Sequence, residues 1–185
     1  MEETFYCLTD TRLGRIGFLW SYDSGKPLIK RIILPAEDRQ EELLILKISP
    51  HAVKGTDGVI EWLREAIRRY LDGEGVDLSL EYLDFAVCTA FQQKVLLWDR
   101  QIPRGMVATY GGLAEKINQP KGARAVGNAQ ARNPFPIIIP CHRVVRSDGA
   151  LGGFGGGFKM KRNLLELEGV SFDASEKVRR ENIWL

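Results

Sequence analysis

The chain has 185 residues, 44% hydrophobic and 27% charged, with a net charge of +2 at neutral pH. Such a composition is that of a globular protein rather than a disordered or fibrous one, and no apolar run is long enough to cross a bilayer. Three cysteines, far apart at positions 7, 88 and 141, argue against a disulfide framework; without a Cys-x-x-Cys pair, and with His51 standing alone, they also argue against a zinc site.

The first residues, MEETFYCLTD, are acidic and lack the basic start and apolar core of a secretory leader, so a cytoplasmic protein is expected. Charge is unevenly spread. Residues 1–85 hold 11 Lys/Arg against 16 Asp/Glu, whereas residues 86–185 hold 15 against 8. Two units are expected, the second facing an anion, of which nucleic acid is the commonest large example; chance scatter of surface charge is the alternative.

In chain order, TFYCLT, RIGFLWSY and PLIKRIIL are rich in β-branched and aromatic residues and are broken by turn residues around Asp10 and Asp23 to Gly25. They predict an antiparallel meander. PAEDRQEELLILKI starts with a proline and acidic residues and predicts a helix. Residues 59–71 place Ile60, Leu63, Ile67 and Tyr70 at helical spacing, with charges opposite. DLSLEYLDF alternates and predicts one more strand. Trp20 and Trp62 are read as core. The first unit is thus α/β, and its motifs are silent about chemistry.

Beyond residue 85, TAFQQKVLLWDRQI predicts a helix with a threonine cap, stopped by Pro103 to Gly105. TYGGLAEKI and ARAVGNAQAR, joined by NQPKG, predict two short helices, either a helix-turn-helix or a simple helical corner. The second offers Ala123, Arg124, Ala125, Gly127 and Asn128 on its face: small residues that let a backbone approach a partner, with one arginine among them. GALGGFGGGF holds six glycines in ten residues and reads either as a loop that approaches a ligand or as a flexible connection. KMKRNLLELEGV returns to helix, and residues 171–185 read as a terminal extension.

The chemistry concentrates in IIIPCHRVVR, residues 137–146. An apolar run, expected as a strand, ends in Cys141 and His142, with Arg143 adding positive field. A thiol needs a base to become a nucleophile, and the base needs an orienting carboxylate, for which Glu166 and Glu168 are both candidates. Neighbouring side chains of an extended segment point to opposite faces, so a bridging water between Cys141 and His142 is expected. The plainer alternative is a buried cysteine at a strand end.

PCHRV, preceded by NPFPIII and followed by the glycine-rich segment, together with TYGGLA and GARAVGNA, resembles the signature of the methylated-DNA–protein-cysteine methyltransferases, the O6-alkylguanine-DNA alkyltransferases. The resemblance runs from about Phe91 to Gly169. It implies a ribonuclease-H-like α/β domain over 1–85, a mainly α winged helix-turn-helix domain over 86–170 and the extension over 171–185. It implies transfer of the alkyl group of O6-alkylguanine, and of O4-alkylthymine, in double-stranded DNA to Cys141, once per molecule, with no cofactor and no metal. His142 would take the thiol proton through water, and Glu168 would orient His142. Asn133 would tie the preceding turn to the helix-turn-helix. Tyr110 would help rotate the nucleotide out and donate a proton to the departing guanine. Arg124 would fill the gap in the base stack. Thr109, Ala123, Ala125, Gly127, Asn128, Lys121 and Arg132 would meet DNA. Pro136, Val144, Phe154, Gly155 and Gly156 would line the base pocket.

Family members often carry tyrosine and serine where this chain has Phe154 and Gly155, so two hydroxyl contacts are absent. No feature calls for an obligate oligomer, so a monomer is expected, inside the cytoplasm with the nucleoid or, in a eukaryote, in the nucleus. Three other readings make different predictions. A non-catalytic lesion-binding protein of the same fold would lack the cysteine. A cysteine hydrolase would turn over repeatedly and ignore DNA. A transcription regulator would bind a particular sequence, whereas a repair protein binds weakly, with strong salt dependence.

Overall fold

The computed structural model describes residues 3–36 and 40–185, and these form two compact units. The first comprises residues up to Val87 together with Pro134–Ile138; the second comprises Cys88–Asn133 and Ile139–Leu185.

In the first unit, β1 (Thr4–Thr11), β2 (Gly14–Asp23) and β3 (Lys26–Ile33) form the expected meander. The central strand β2 is buried on both faces from Ile16 to Ser21, and Ile16, Phe18, Trp20 and Ile29 are wholly buried. Helix α1 spans Glu41–Ile48; the expected start of this helix at 37–39 lies outside the described residues. A two-residue strand β4 (Val53–Lys54) joins β1 in parallel, so the sheet is mixed, in the order β3-β2-β1-β4. Helix α2 (Gly58–Leu71) begins where Asp57 accepts from the amides of Val59 and Ile60, and it buries Ile60, Leu63, Ile67 and Tyr70, as its spacing predicts.

Two expectations fail here. DLSLEYLDF is not a strand. Only Leu83 bridges to Ile29 of the sheet, and the segment otherwise runs as turns into a short helix at Phe85–Val87. A strand needs a partner with free backbone groups along its length, and this segment meets the sheet at Ile29, which exchanges hydrogen bonds with Tyr82 and Asp84. Trp62 is not core; it is 48% exposed and meets Tyr82 edge-on.

The second unit opens with α3 (Ala90–Asp99), capped as expected by the Thr89 hydroxyl on the Gln92 amide. Strand β5 (Ala108–Thr109) leads directly into α4 (Tyr110–Lys116), and α5 (Ala123–Ala131) follows. Val95, Leu113, Val126, Ala129 and Val144 share one buried cluster, so the three helices pack on a common core. Beyond the excursion of 134–138, Cys141–Arg143 form a short 3-10 helix, β6 (Val144–Val145) pairs in parallel with β5, and α6 (Gly157–Leu167) closes the unit.

Residues 171–185 do not extend away from this unit. Val107 donates to the Asn182 carbonyl, Trp184 to Val107 and Thr109 to Leu185, each at 2.7 Å, so the terminal residues run alongside β5. No helix among the described residues is long and apolar enough to cross a membrane.

Candidate active site

The segment before Cys141 is not the expected strand. Residues 137 and 138 form a turn, and Ile137 sits at φ 75°, a left-handed conformation that β-branched residues avoid. The side chain is nonetheless buried. Asn133 fastens the turn by donating to the Ile139 carbonyl at 3.0 Å. Cys141 and His142 then follow in a helical turn rather than in extended chain, closed by the Arg143 amide on the Pro140 carbonyl at 2.8 Å.

His142 is wholly buried, and its Nε2 lies 3.0 Å from Glu168 Oε1. Arg143 grips the same carboxylate in a two-pronged contact, Nε to Oε2 at 2.7 Å and Nη2 to Oε1 at 2.8 Å, while Nη1 donates to the Ile102 carbonyl. The structure thus selects Glu168 over Glu166, which faces outward and pairs with Arg162. Burial opposes ionisation of Glu168, but the charge of Arg143 and the hydrogen bonds from Arg143 and His142 hold its carboxyl far below the usual carboxylate range. Burial lowers the His142 pKa, although Glu168 pulls it upward. The ring is therefore neutral at pH 7. An ionised carboxylate only accepts, so Nε2 carries the hydrogen and Nδ1 is the basic nitrogen.

Burial pushes the Cys141 thiol up to about 11, opposed by the Asn133 amide hydrogen-bonded to it and by Lys161. Cys7 is also pushed to about 11, so burial alone does not mark Cys141. What marks it is the company it keeps. Tyr110, the first residue of α4, lies near enough to Cys141 to feel its charge. Burial, and then the neighbouring Cys141, raise the Tyr110 pKa, so the phenol keeps its proton. Phe154 meets the His142 ring edge-on at 6.2 Å.

Gly152 leaves the room that Tyr110 occupies: a Cβ there would lie 2.2 Å from the phenol oxygen. Gly152→Ala is therefore expected to displace the ring. If Tyr110 serves as an acid for the chemistry at Cys141, that chemistry slows by roughly a hundredfold. Stopped-flow rates for this variant, beside Tyr110→Phe, check it.

The remaining predicted residues fall into separate groups. Arg124, Ala125 and Asn128 are exposed on α5, with Lys121 and Arg132 exposed near its two ends, while Ala123 and Gly127 are half-buried. A Cβ at Gly127 would lie 3.8 Å from the Tyr110 ring. Thr109 caps α4 through its hydroxyl on the Gly112 amide. Val144 is buried, Gly155 is exposed, and Gly156 precedes α6. Pro136 is buried within the stretch grouped with the first unit.

Sequence reasoning passed over Lys161 and Asp99, both wholly buried. Lys161 donates to the Val144 carbonyl at 2.6 Å, and burial lowers its pKa to about 8. Each lies on the apolar stripe of its helix, Lys161 with Leu164 and Leu165 and Asp99 with Val95 and Leu96. A charged residue in such a stripe is the signal that could have found them.

The family model for the 6-O-methylguanine DNA methyltransferase DNA-binding domain matches residues 90–170. A methylated-DNA–protein-cysteine methyltransferase of Thermococcus kodakarensis is 45% identical over 160 residues, 85% of each chain. This chain belongs to that family. The relative from Methanothermobacter thermautotrophicus is 48% identical over 114 residues, 62% of this chain, and the match spans 64% of that relative's length. Among solved structures, a Mycobacterium tuberculosis OGT variant aligns with a TM-score of 0.73 at 31% identity, covering 92% of this chain and 96% of that one. OGT of the same organism in complex with DNA aligns at 0.68 and 32% identity, covering 89% and 92%. The family's matched region contains the whole Cys141, His142, Arg143 and Glu168 cluster.

Proposed function

We propose that this protein repairs double-stranded DNA by moving the alkyl group of O6-alkylguanine, and of O4-alkylthymine, onto Cys141, once per molecule. One observation carries the reading: a buried cysteine adjoins a neutral histidine that is oriented by a carboxylate, itself clamped by Arg143. The family's curated name and the DNA-bound relative support it.

The chemistry balances without a cofactor. A thiol near 11 is poor as a free nucleophile, which also protects it from oxidation, so its proton must leave as it reacts. His142 Nδ1 takes that proton through a water molecule, and Glu168 stabilises the resulting imidazolium. Sulfur bonds to the alkyl carbon as the bond from that carbon to O6 breaks. Tyr110 gives its proton to the departing guanine. The product is a thioether, which no neighbouring group hydrolyses, so the protein ends as its own product. Asn133 holds the cysteine turn in place.

The alkylated oxygen lies on a base edge, so the nucleotide must leave the stack. Arg124 fills the gap, while the small face of Ala123, Ala125 and Gly127 with Asn128 admits α5 to the minor groove, where bulk would clash. Thr109, Lys121 and Arg132 meet phosphates. Val144, Pro136, Phe154, Gly155 and Gly156 line the base pocket. In finer terms, residues 1–85 form a ribonuclease-H-like domain, and 86–170 a winged helix-turn-helix domain with 171–185 attached. The protein acts as a monomer wherever the cell keeps its DNA.

Intact-protein and peptide mass spectrometry after incubation with an O6-methylguanine oligonucleotide tests the reading. A stable, stoichiometric gain of one methylene's mass on the Cys141 peptide is expected. DNA bound but unchanged would instead mean a lesion-binding protein. Neither binding nor gain would point to a cysteine hydrolase. Flipping has its own test. Unstacking costs a few kcal/mol, so Arg124→Ala is expected to slow repair of duplex DNA by roughly tenfold or more. Reaction with free O6-benzylguanine should be almost unaffected, and equal losses on the two substrates would remove Arg124 from the flipping step.

A further inference from the structure

Asp99 ends α3, and its carboxyl is wholly excluded from solvent, yet the reaction proposed above has no use for it. Its Oδ1 accepts a hydrogen bond from Gln130 Nε2, on α5, at 2.6 Å. Its other oxygen, Oδ2, is buried without a hydrogen-bond partner, and so is Oε1 of the same Gln130. Two planar groups thus make one short bond and strand one oxygen each. Buried acceptors are rarely left so, and a buried carboxylate rarely goes without a bonded cation.

A single proton resolves both problems. Placed on Oδ2 it turns that atom into a donor, and the stranded amide oxygen belongs to the side chain already facing it. We propose that Asp99 is a neutral carboxylic acid, joined to Gln130 by two opposed hydrogen bonds, and that this pair is a positioning device locking α5 onto α3.

The surroundings agree. Lys161 supplies the cationic field that reaches Asp99, while Cys141 and Tyr110 are the other titratable groups that feel it. Burial dominates and holds the carboxyl well above its ordinary range, although the Gln130 bond and Lys161 pull it down. A group raised in this way contributes stability that is full below the ordinary carboxylate range and is lost as pH rises through its folded pKa. The lock matters because α5 carries Arg124. Neutrality matters because a charged Asp99 would oppose a thiolate at Cys141; this second consequence rests on Cys141 being the acceptor, whereas the protonated pair does not.

Asp99→Asn is the informative variant, since asparagine is neutral, has the same shape and can make both bonds to Gln130. Asp99→Leu strands the whole Gln130 amide. Infrared spectra of protein carrying carbon-13-labelled aspartate are expected to show an isotope-sensitive band of a protonated carboxylic acid at neutral pH that is missing from Asp99→Asn. At neutral pH Asp99→Asn is expected to match or exceed the thermal midpoint of the parent, since it takes up no proton on folding, and to keep its transfer rate, while Asp99→Leu raises the unfolding constant by roughly tenfold to a hundredfold. Absence of the band in the parent would overturn the proposal. So would an Asp99→Asn variant as unstable as Asp99→Leu, because the charge would then be what the site requires. The band and the midpoints are read without any DNA, so failure of alkyl transfer leaves them unchanged.

Discussion

Glu168→Ala is expected to cost the fold about 3–5 kcal/mol, the usual result of stranding one partner of a buried ion pair. The magnitude follows from what the carboxylate holds. It takes two hydrogen bonds from Arg143, whose side chain is 9% exposed, and one contact from a histidine with no exposure. Removing it leaves a buried guanidinium without its counter-charge, and it frees His142 to turn. Alkyl transfer should fall with stability. Urea unfolding and single-turnover transfer to a methylated oligonucleotide measure the two losses. A variant that unfolds like the parent would show that water or another carboxylate replaces Glu168.

The same pair sets an acid limit. The folded-state pKa of Glu168 is depressed, so its contribution to stability is present above the ordinary carboxylate range and is lost as pH falls toward the folded value. The unfolding midpoint should therefore drop on acidification below the unfolded carboxylate pKa, and this drop should be smaller in Glu168→Gln, which has no carboxylate to titrate.

Cys141→Ala is expected to abolish alkyl transfer while leaving DNA binding intact. The thiol occupies a buried position, with its main-chain amide on the Ile139 carbonyl at 2.8 Å, so the loss of one sulfur atom leaves the turn closed. Nothing on α5 changes. Gel-shift or anisotropy titration at fixed salt reports binding, since phosphate contacts make affinity salt-dependent, and mass spectrometry reports transfer. Transfer that persists in this variant would place the acceptor elsewhere, with Cys7 and Cys88 the other thiols to inspect.

Much of the architecture was legible because it is local. The Thr89 cap, the helical spacing over 59–71 and the β-branched and aromatic content of the first three strands depend on residues within a turn or two of one another. The failures share a cause as well. Whether DLSLEYLDF pairs as a strand depends on which backbone lies beside it, and it meets the sheet as a single bridge at Ile29. Ile137 prefers β conformation by itself; in the turn that Asn133 fastens to Ile139 it takes positive φ.

The sequence by itself determined the cysteine-centred motif, the division of charge between the two halves and the small-residue face around Arg124, because each is a property of neighbouring residues. Local pattern left Glu166 and Glu168 both open; the resemblance implied Glu168, and the tertiary structure sets Glu168 against His142. Two residues along a helix turn a side chain by about 200°, so one of the pair faces the core and the other solvent, and only the position of His142 says which. The tertiary structure also brought Tyr110 within reach of the Cys141 charge and ran the last residues alongside β5. It buried Lys161 and Asp99 in stripes that local pattern reserves for apolar side chains. The state of those two groups depends on partners 17 and 31 residues away, a separation that no local pattern records.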